Sequence, residues 1–260
     1  GGFIDHDYTS EEWKVVHETH KILGDDFQAV EIELDPGEGV RAEVGAMLFM
    51  EDDIQMDTST GGGLFSGFKR MVSGESFFIT TFLNQGRFKR KVLFSAPYPG
   101  RIMPIDLTTF GGEFFCQKDA YLCSAKGVDI TIAFTKKFGA GLFGGEGFIL
   151  QKLTGDGLAF IHAGGTIIKR ELAPMERLRV DTGCLVGFEK SIDYDIQFIG
   201  GFKNALFGGE GLFLTTLTGP GTVYLQSLPF SRISDRILRA AGSNTGEVKR
   251  GGLLSTLLSG

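Results

Sequence analysis

Three glutamates, Glu75, Glu146 and Glu210, recur in one short phrase written three times. Each copy has a basic or aromatic lead-in, a Gly-rich turn ending in Gly-Glu, and an apolar β-like run. The copies run Lys69-Arg70-Met71-Val72-Ser73-Gly74-Glu75-Ser76-Phe77-Phe78-Ile79, Gly141-Leu142-Phe143-Gly144-Gly145-Glu146-Gly147-Phe148-Ile149-Leu150 and Ala205-Leu206-Phe207-Gly208-Gly209-Glu210-Gly211-Leu212-Phe213-Leu214. Two chemistries suit them. Three carboxylates around a pseudo-threefold axis would hold a cation. Alternatively, each Glu accepts hydrogen bonds from its own turn, or pairs with Lys69/Arg70, Lys136/Lys137 or Lys203. The structural role is favoured, because a catalytic site joins unlike residues in unlike roles. A feature present in every copy serves what the copies share. Gly74, Glu75, Gly145, Glu146, Gly209 and Glu210 are therefore read as repeat turns.

The other reactive residue types are sparse. Gly139-Ala140-Gly141-Leu142-Phe143-Gly144 matches the spacing of a dinucleotide loop, but that loop must open a helix whose N-terminus holds the pyrophosphate. Here a Gly-rich, β-like run follows, and the third copy replaces the glycines. The histidines are His6, His17, His20 and His162. His17 and His20 share a face only if their segment is helical; on a strand they point to opposite faces. His162 sits in a strand-like run with no legible partner. Gly63-Leu64-Phe65-Ser66-Gly67 lacks the first glycine of a nucleophile elbow. Cys116, Cys123 and Cys184 form neither a disulfide framework nor a metal-ligand spacing, and read as reduced thiols of a cytoplasmic protein. No catalytic, cofactor-binding or metal-binding residue is assigned.

The tips beside the Gly-Glu turns are the other candidate site: Leu64-Phe65, Leu142-Phe143 and Leu206-Phe207. Phe and Leu amid Gly and next to Lys suit a membrane interface. They equally suit a core between repeats or a subunit contact, and a Phe-rich β domain needs its Phe inside.

What must position these residues is a repeated β framework. Leu34-Asp35-Pro36-Gly37-Glu38-Gly39-Val40 and Leu172-Ala173-Pro174-Met175-Glu176-Arg177-Leu178 share one frame, with Gly45 and Gly183 seven residues after each Glu. The middle copy is looser, running from Glu113 to Ala120. Val30, Ile32 and Leu34 alternate with Glu31 and Glu33; Val128, Ile130, Ile132 and Phe134 alternate with polar or small residues; so do Ile192, Tyr194, Ile196 and Phe198. Period two marks strands with one wet face, and Pro36-Gly37, Pro99-Gly100 and Pro220-Gly221 mark turns. Residues 11–23 suit strand or helix, with strand preferred. Residues 231–241 read as a helix, with Ile233, Ile237 and Ala240 on one face, Pro229 before it and Gly242 after it. The tail beyond carries Leu253, Leu254, Leu257 and Leu258, and is expected to dock on its own domain or a neighbouring subunit.

Composition narrows the partners. With 260 residues the chain can bury a core without metals or disulfides. Its 39 Gly and 24 Phe fit many tight turns around aromatic cores. A net charge of −6 argues against nucleic acid as a partner, since such binding needs a basic surface. Arg87-Phe88-Lys89-Arg90-Lys91 is the one basic run, read as a solvated hairpin flank. The N-terminal residues lack signal-peptide character, and no apolar stretch is long enough for a spanning helix.

Glu31-Ile32-Glu33-Leu34-Asp35-Pro36-Gly37-Glu38, Gly45-Ala46-Met47, Ala96-Pro97-Tyr98-Pro99-Gly100 and the Gly-Leu-Phe-Gly-Gly-Glu-Gly turns together resemble the Altered Inheritance of Mitochondria family, number twenty-four. The likeness spans residues 11–255. It implies a fold similar to the double-stranded β-helix of the tryptophan RNA-binding attenuation protein, and a prokaryotic, soluble member of a family whose fungal members are linked to mitochondrial inner-membrane organisation. It supplies no catalytic residues. The expected architecture is all-β: three pseudo-repeats (28–100, 101–165 and 166–228) forming a double-stranded β-helix or prism-like barrel, then a C-terminal helix and tail (229–260). The expected function is a non-enzymatic scaffold or protein-interaction protein, with an unknown protein partner or self-association. A peripheral membrane protein using its Phe/Gly turns and a small-ligand or metal-binding barrel are the alternatives.

Overall fold

Alternating side chains build the first sheet. In the computed structural model, which describes residues 20–57, 79–136, 147–199, 212–234, 236, 237 and 240, Val30, Ile32 and Leu34 are buried while Glu31 and Glu33 face outward. They lie on β2 (Ala29–Leu34), between β1 (His20–Leu23) and β7 (Arg90–Ser95); β4 (Met47–Met50) completes the sheet beyond β7. Of the ambiguous residues 11–23, the four described are strand β1.

A second sheet runs in the order β5 (Ile54–Asp57), β6 (Ile79–Asn84), β3 (Gly39–Glu43), β10 (Tyr121–Ala125), β13 (Leu158–Gly164) and β8 (Gly100–Asp106). A third runs β11 (Asp129–Lys136), β12 (Phe148–Thr154), β9 (Glu113–Gln117), β16 (Leu185–Glu189), β19 (Gly221–Gln226) and β14 (Ile167–Leu172). The last holds β15 (Arg177–Asp181), β18 (Leu212–Thr218) and β17 (Asp193–Ile199). Every ladder is antiparallel. Helix α1 occupies residues 230–234, 236, 237 and 240 and follows Pro229 as expected.

The pairing scheme recurs. The hairpins β5–β6, β11–β12 and β17–β18 are joined through β6, β12 and β18 to β3, β9 and β15. The strands β4, β10 and β16 pair with β7, β13 and β19, each with a bulge at the same place: Met47/Phe49, Tyr121/Cys123 and Leu185/Gly187. A 3-10 turn precedes each bulged strand, at Val44–Ala46, Lys118–Ala120 and Thr182–Cys184. Two ladders link successive stretches. Cys123 faces Ala42 where β10 meets β3, and Gly187 faces Cys116 where β16 meets β9.

Three cores result, each between facing sheets. Val30, Val92 and Phe94 of the first sheet meet Val40 and Phe82 of the second. Met103, Ile105 and Ile161 meet Phe114, Ile130 and Leu153. Phe148, Phe188 and Val223 meet Val180, Ile196 and Leu217. Burying one such Phe stabilises the fold by roughly 2–3 kcal/mol.

Two expectations need correction. The described strands form four open sheets and no closed barrel, because β15 has no partner beyond β18 and β4 none beyond β7. Val128, just before β11, and Ile130 on it are buried, but Ile132 is exposed. Ile130 and Ile132 pair in one register with Leu153 and Gln151, and the register shifts just beyond, between Ile132 and Phe134; Ile132 thus borders a bulge, where the regular ladder is disrupted.

The Pro turns explain why the repeated Leu-x-Pro-x-Glu frame keeps its glutamate. Glu38 accepts a hydrogen bond from the Asp35 N–H at 2.8 Å, and its own N–H donates to the Asp35 carbonyl at 2.9 Å. Glu176 does the same with Ala173, at 2.8 and 3.0 Å. Both turns need a positive φ at their third residue: Gly37 supplies 84°, Met175 is held at 65°.

Candidate functional site

The repeat-turn residues Gly74, Glu75, Gly145, Glu146, Gly209 and Glu210 lie outside the described residues. So do the tips Leu64, Phe65, Leu142, Phe143, Leu206 and Phe207, the histidines His6 and His17, and the apolar tail. The flanking strands still constrain the dinucleotide-like spacing at 139–144. It falls in the connection between β11 and β12, which pair antiparallel from Asp129↔Thr154 to Lys136↔Phe148. A dinucleotide loop joins a strand to a helix within a parallel βαβ unit, so this spacing has no such role.

His162, Cys116 and Cys123 are buried groups of a type that could do chemistry. His162 on β13 is 1% exposed, and its ring stands edge-on to Tyr98 at 4.6 Å. Neither ring nitrogen has a hydrogen-bond partner among the described residues. Burial pushes its pKa down to about 4, so the imidazole is neutral at pH 7 and has no group to exchange a proton with. The Tyr98 hydroxyl instead donates to the Asp119 carbonyl at 3.2 Å. Backbone crowding closes the space: a Cβ on Gly100 would lie 2.6 Å from Nε2 of His162. Burial raises the Cys116 thiol to about 12 and moves Cys123 in the same direction. Cys184 is raised too, by burial and then by Asp181. None has the electropositive setting that lowers a thiol pKa. His20 packs edge-on against Phe160 at 5.0 Å on a strand. Among the described residues, no group of three or more His, Cys, Asp or Glu is placed to hold a metal ion. No described helix is long and apolar enough to cross a membrane.

The basic run is consumed by its own sheet. Lys89 pairs with Glu33 at 2.9 Å, Arg90 with Asp53 at 2.6 Å and Lys91 with Glu31 at 2.8 Å. Arg90 also stands 6.0 Å from the ring centroid of exposed Phe88. A ladder of carboxylates thus lies beside the cations and leaves little net positive field for a phosphate backbone.

What the described surface does offer is an apolar sheet edge. On β4, Leu48 is 60% exposed, Phe49 42% and Met50 37%. Their ladder equivalents on β10 and β16 are buried: Leu122, Cys123 and Ser124, and Val186, Gly187 and Phe188. The difference is the neighbour, since β10 and β16 each have a second strand alongside and β4 has none among the described residues. The acidic residues Glu51, Asp52 and Asp53 follow β4 and are exposed. Sequence reading passed over this edge. Its signal was the unbroken run Met47-Leu48-Phe49-Met50, which lacks the alternation of a strand with one wet face.

Comparison with known proteins adds a family and no activity. An uncharacterized protein of Streptococcus pyogenes serotype M6 is 27% identical over 249 residues, covering 89% of this chain and 95% of that one. The crystal structure of an S. pyogenes protein matches with a TM-score of 0.69 at 26% identity, covering 85% of this chain and 98% of that one. The family model described as mitochondrial biogenesis AIM24 matches residues 20–228, and the chain belongs to that family.

Proposed function

We propose that this protein is a non-enzymatic β-scaffold, made of one six-strand unit used three times, that binds other polypeptide chains along its sheet edges. The observation that carries the reading is the exposed apolar strand β4, where Leu48, Phe49 and Met50 face solvent in positions that are buried on β10 and β16. An edge strand presents a row of backbone donors and acceptors as well as its side chains, and edge addition uses both. The buried polar groups support the same reading. Asn84 and Gln226 are spent on backbone carbonyls and amides, and His162 touches rings rather than acids or bases.

The test is affinity purification of the protein from its native cells, with protein and lipid identification, in parallel with a Phe49→Asp variant. Stoichiometric recovery of a polypeptide, either a second chain or more of this one, that is lost in the variant is the expected result. Stoichiometric lipid, metal or small molecule with no polypeptide, unchanged by the variant, overturns the proposal.

A further inference from the structure

Ladders β3–β10 and β9–β16 join successive stretches of this chain by one rule. The strand that follows a Pro or Gly turn, β3 or β9, lies along the bulged strand of the next stretch, β10 or β16. Applied a third time, the rule leaves two strands over. Among the described residues, β4 is a bulged strand with no β3-type neighbour, and β15 is a β3-type strand with no bulged neighbour. They are the two halves of one more junction, at opposite ends of the array.

We propose that β4 of one copy of this chain pairs antiparallel with β15 of a second copy, so that copies join head to tail. This rests on the scaffold reading above and names its partner. The existing junctions set the register. Cys123 faces Ala42 and Ser124 faces Arg41, while Gly187 faces Cys116 and Phe188 faces Phe115. In the same register Phe49 faces Val180, Met50 faces Arg179 and Glu51 faces Leu178, with Asp52 beside Arg177.

Burial and charge agree with that register. Leu178 is only half-buried, whereas its equivalents Val40 and Phe114 are fully buried at their junctions. The apolar side chains exposed on β4 would be covered as Leu122 and Val186 are, at 2% and 0% exposure. Arg177 and Arg179 are exposed, and β4 runs directly into the exposed Glu51 and Asp52. A basic edge therefore meets an acidic one, which favours this docking over β4 on β4 or β15 on β15. An interface between two different patches is heterologous, and repeats until rotation closes it or a filament forms.

The experiment is native mass spectrometry and light scattering on the purified full chain at about 50 µM, a concentration at which a μM-range contact is populated. The wild type is expected at a multiple of 28.2 kDa. Phe49→Asp on β4 and Arg179→Asp on β15 are each expected to run as folded monomers by circular dichroism. Their equimolar mixture is expected to form a dimer, through the intact β15 of the first and the intact β4 of the second. If Phe49→Asp fails to fold, Met50→Arg opposes Arg179 directly, and Arg179→Asp in the same chain restores the wild-type mass. A monomeric wild type, either edge variant retaining the wild-type mass, or a mixture that stays monomeric overturns the junction. Those results leave the scaffold reading standing wherever the native purification still yields a different polypeptide bound through Phe49.

Discussion

His162 should make this protein acid-sensitive in a defined pH window. Its imidazole is buried with no partner for either nitrogen among the described residues, and burial lowers its pKa from 6.5 to about 4. The cause is desolvation, which penalises the cation. Between pH 6.5 and 4 the unfolded chain therefore carries a proton at this site that the folded chain does not. Stability is fully present above pH 6.5 and falls as the pH drops, levelling off below about 4. At about 1.4 kcal/mol per pH unit the loss assigned to this residue is about 3 kcal/mol, a large fraction of a typical folding free energy. Other acid-titrating groups contribute to the same fall, so the comparison is with His162→Gln, which is neutral throughout. Gln also has a precedent. Gln226 holds the equivalent ladder position on β19, where it accepts from the Gly164 N–H at 2.8 Å and donates to the Gly183 carbonyl at 2.9 Å. Urea unfolding followed by circular dichroism from pH 7.5 to 4 gives both curves. The difference between them should grow by about 3 kcal/mol towards acid, with the wild type losing more. Parallel curves would show that water or a relaxed pocket solvates the ring, and the burial argument would fail.

Two substitutions test the turns and the interior hydrogen bonds. Met175 is exposed and held at a φ of 65°, where its counterpart is Gly37; Met175→Gly should raise stability by about 0.5–1 kcal/mol by removing left-handed strain, and a lower Tm would count against it. Asn84 is fully buried, donates to the Leu34 and Phe88 carbonyls at 2.9 and 2.8 Å, and accepts from the Gly86 N–H at 2.9 Å. Asn84→Ala strands three backbone groups and should cost about 3 kcal/mol in urea unfolding, whereas a loss below about 1 kcal/mol would mean that solvent reaches them.

Local patterns were legible in the sequence, and neighbours were not. Val30, Ile32 and Leu34 announced the inward face of β2 because side-chain alternation is a property of one strand. The spacing from Glu38 to Gly45 and from Glu176 to Gly183 landed on the 3-10 turns Val44–Ala46 and Thr182–Cys184, and the looser Glu113 to Ala120 landed on Lys118–Ala120. Hydrogen bonds within the turns fix those distances. Ile132 was misjudged because a bulge depends on the register of the partner strand, which no single segment records. The exposed edge was harder still. Leu48 and Leu122 are the same residue type at the same ladder position, one 60% and the other 2% exposed. What decides between them is distant: the strand that covers Leu122 lies about eighty positions earlier, at Val40–Ala42. Burial at such a position is decided by whether a β3-type strand arrives. A sequence that keeps Leu, Phe and Met on β4, rather than the Lys or Pro that blunts a solvent-facing edge, is written as though one does.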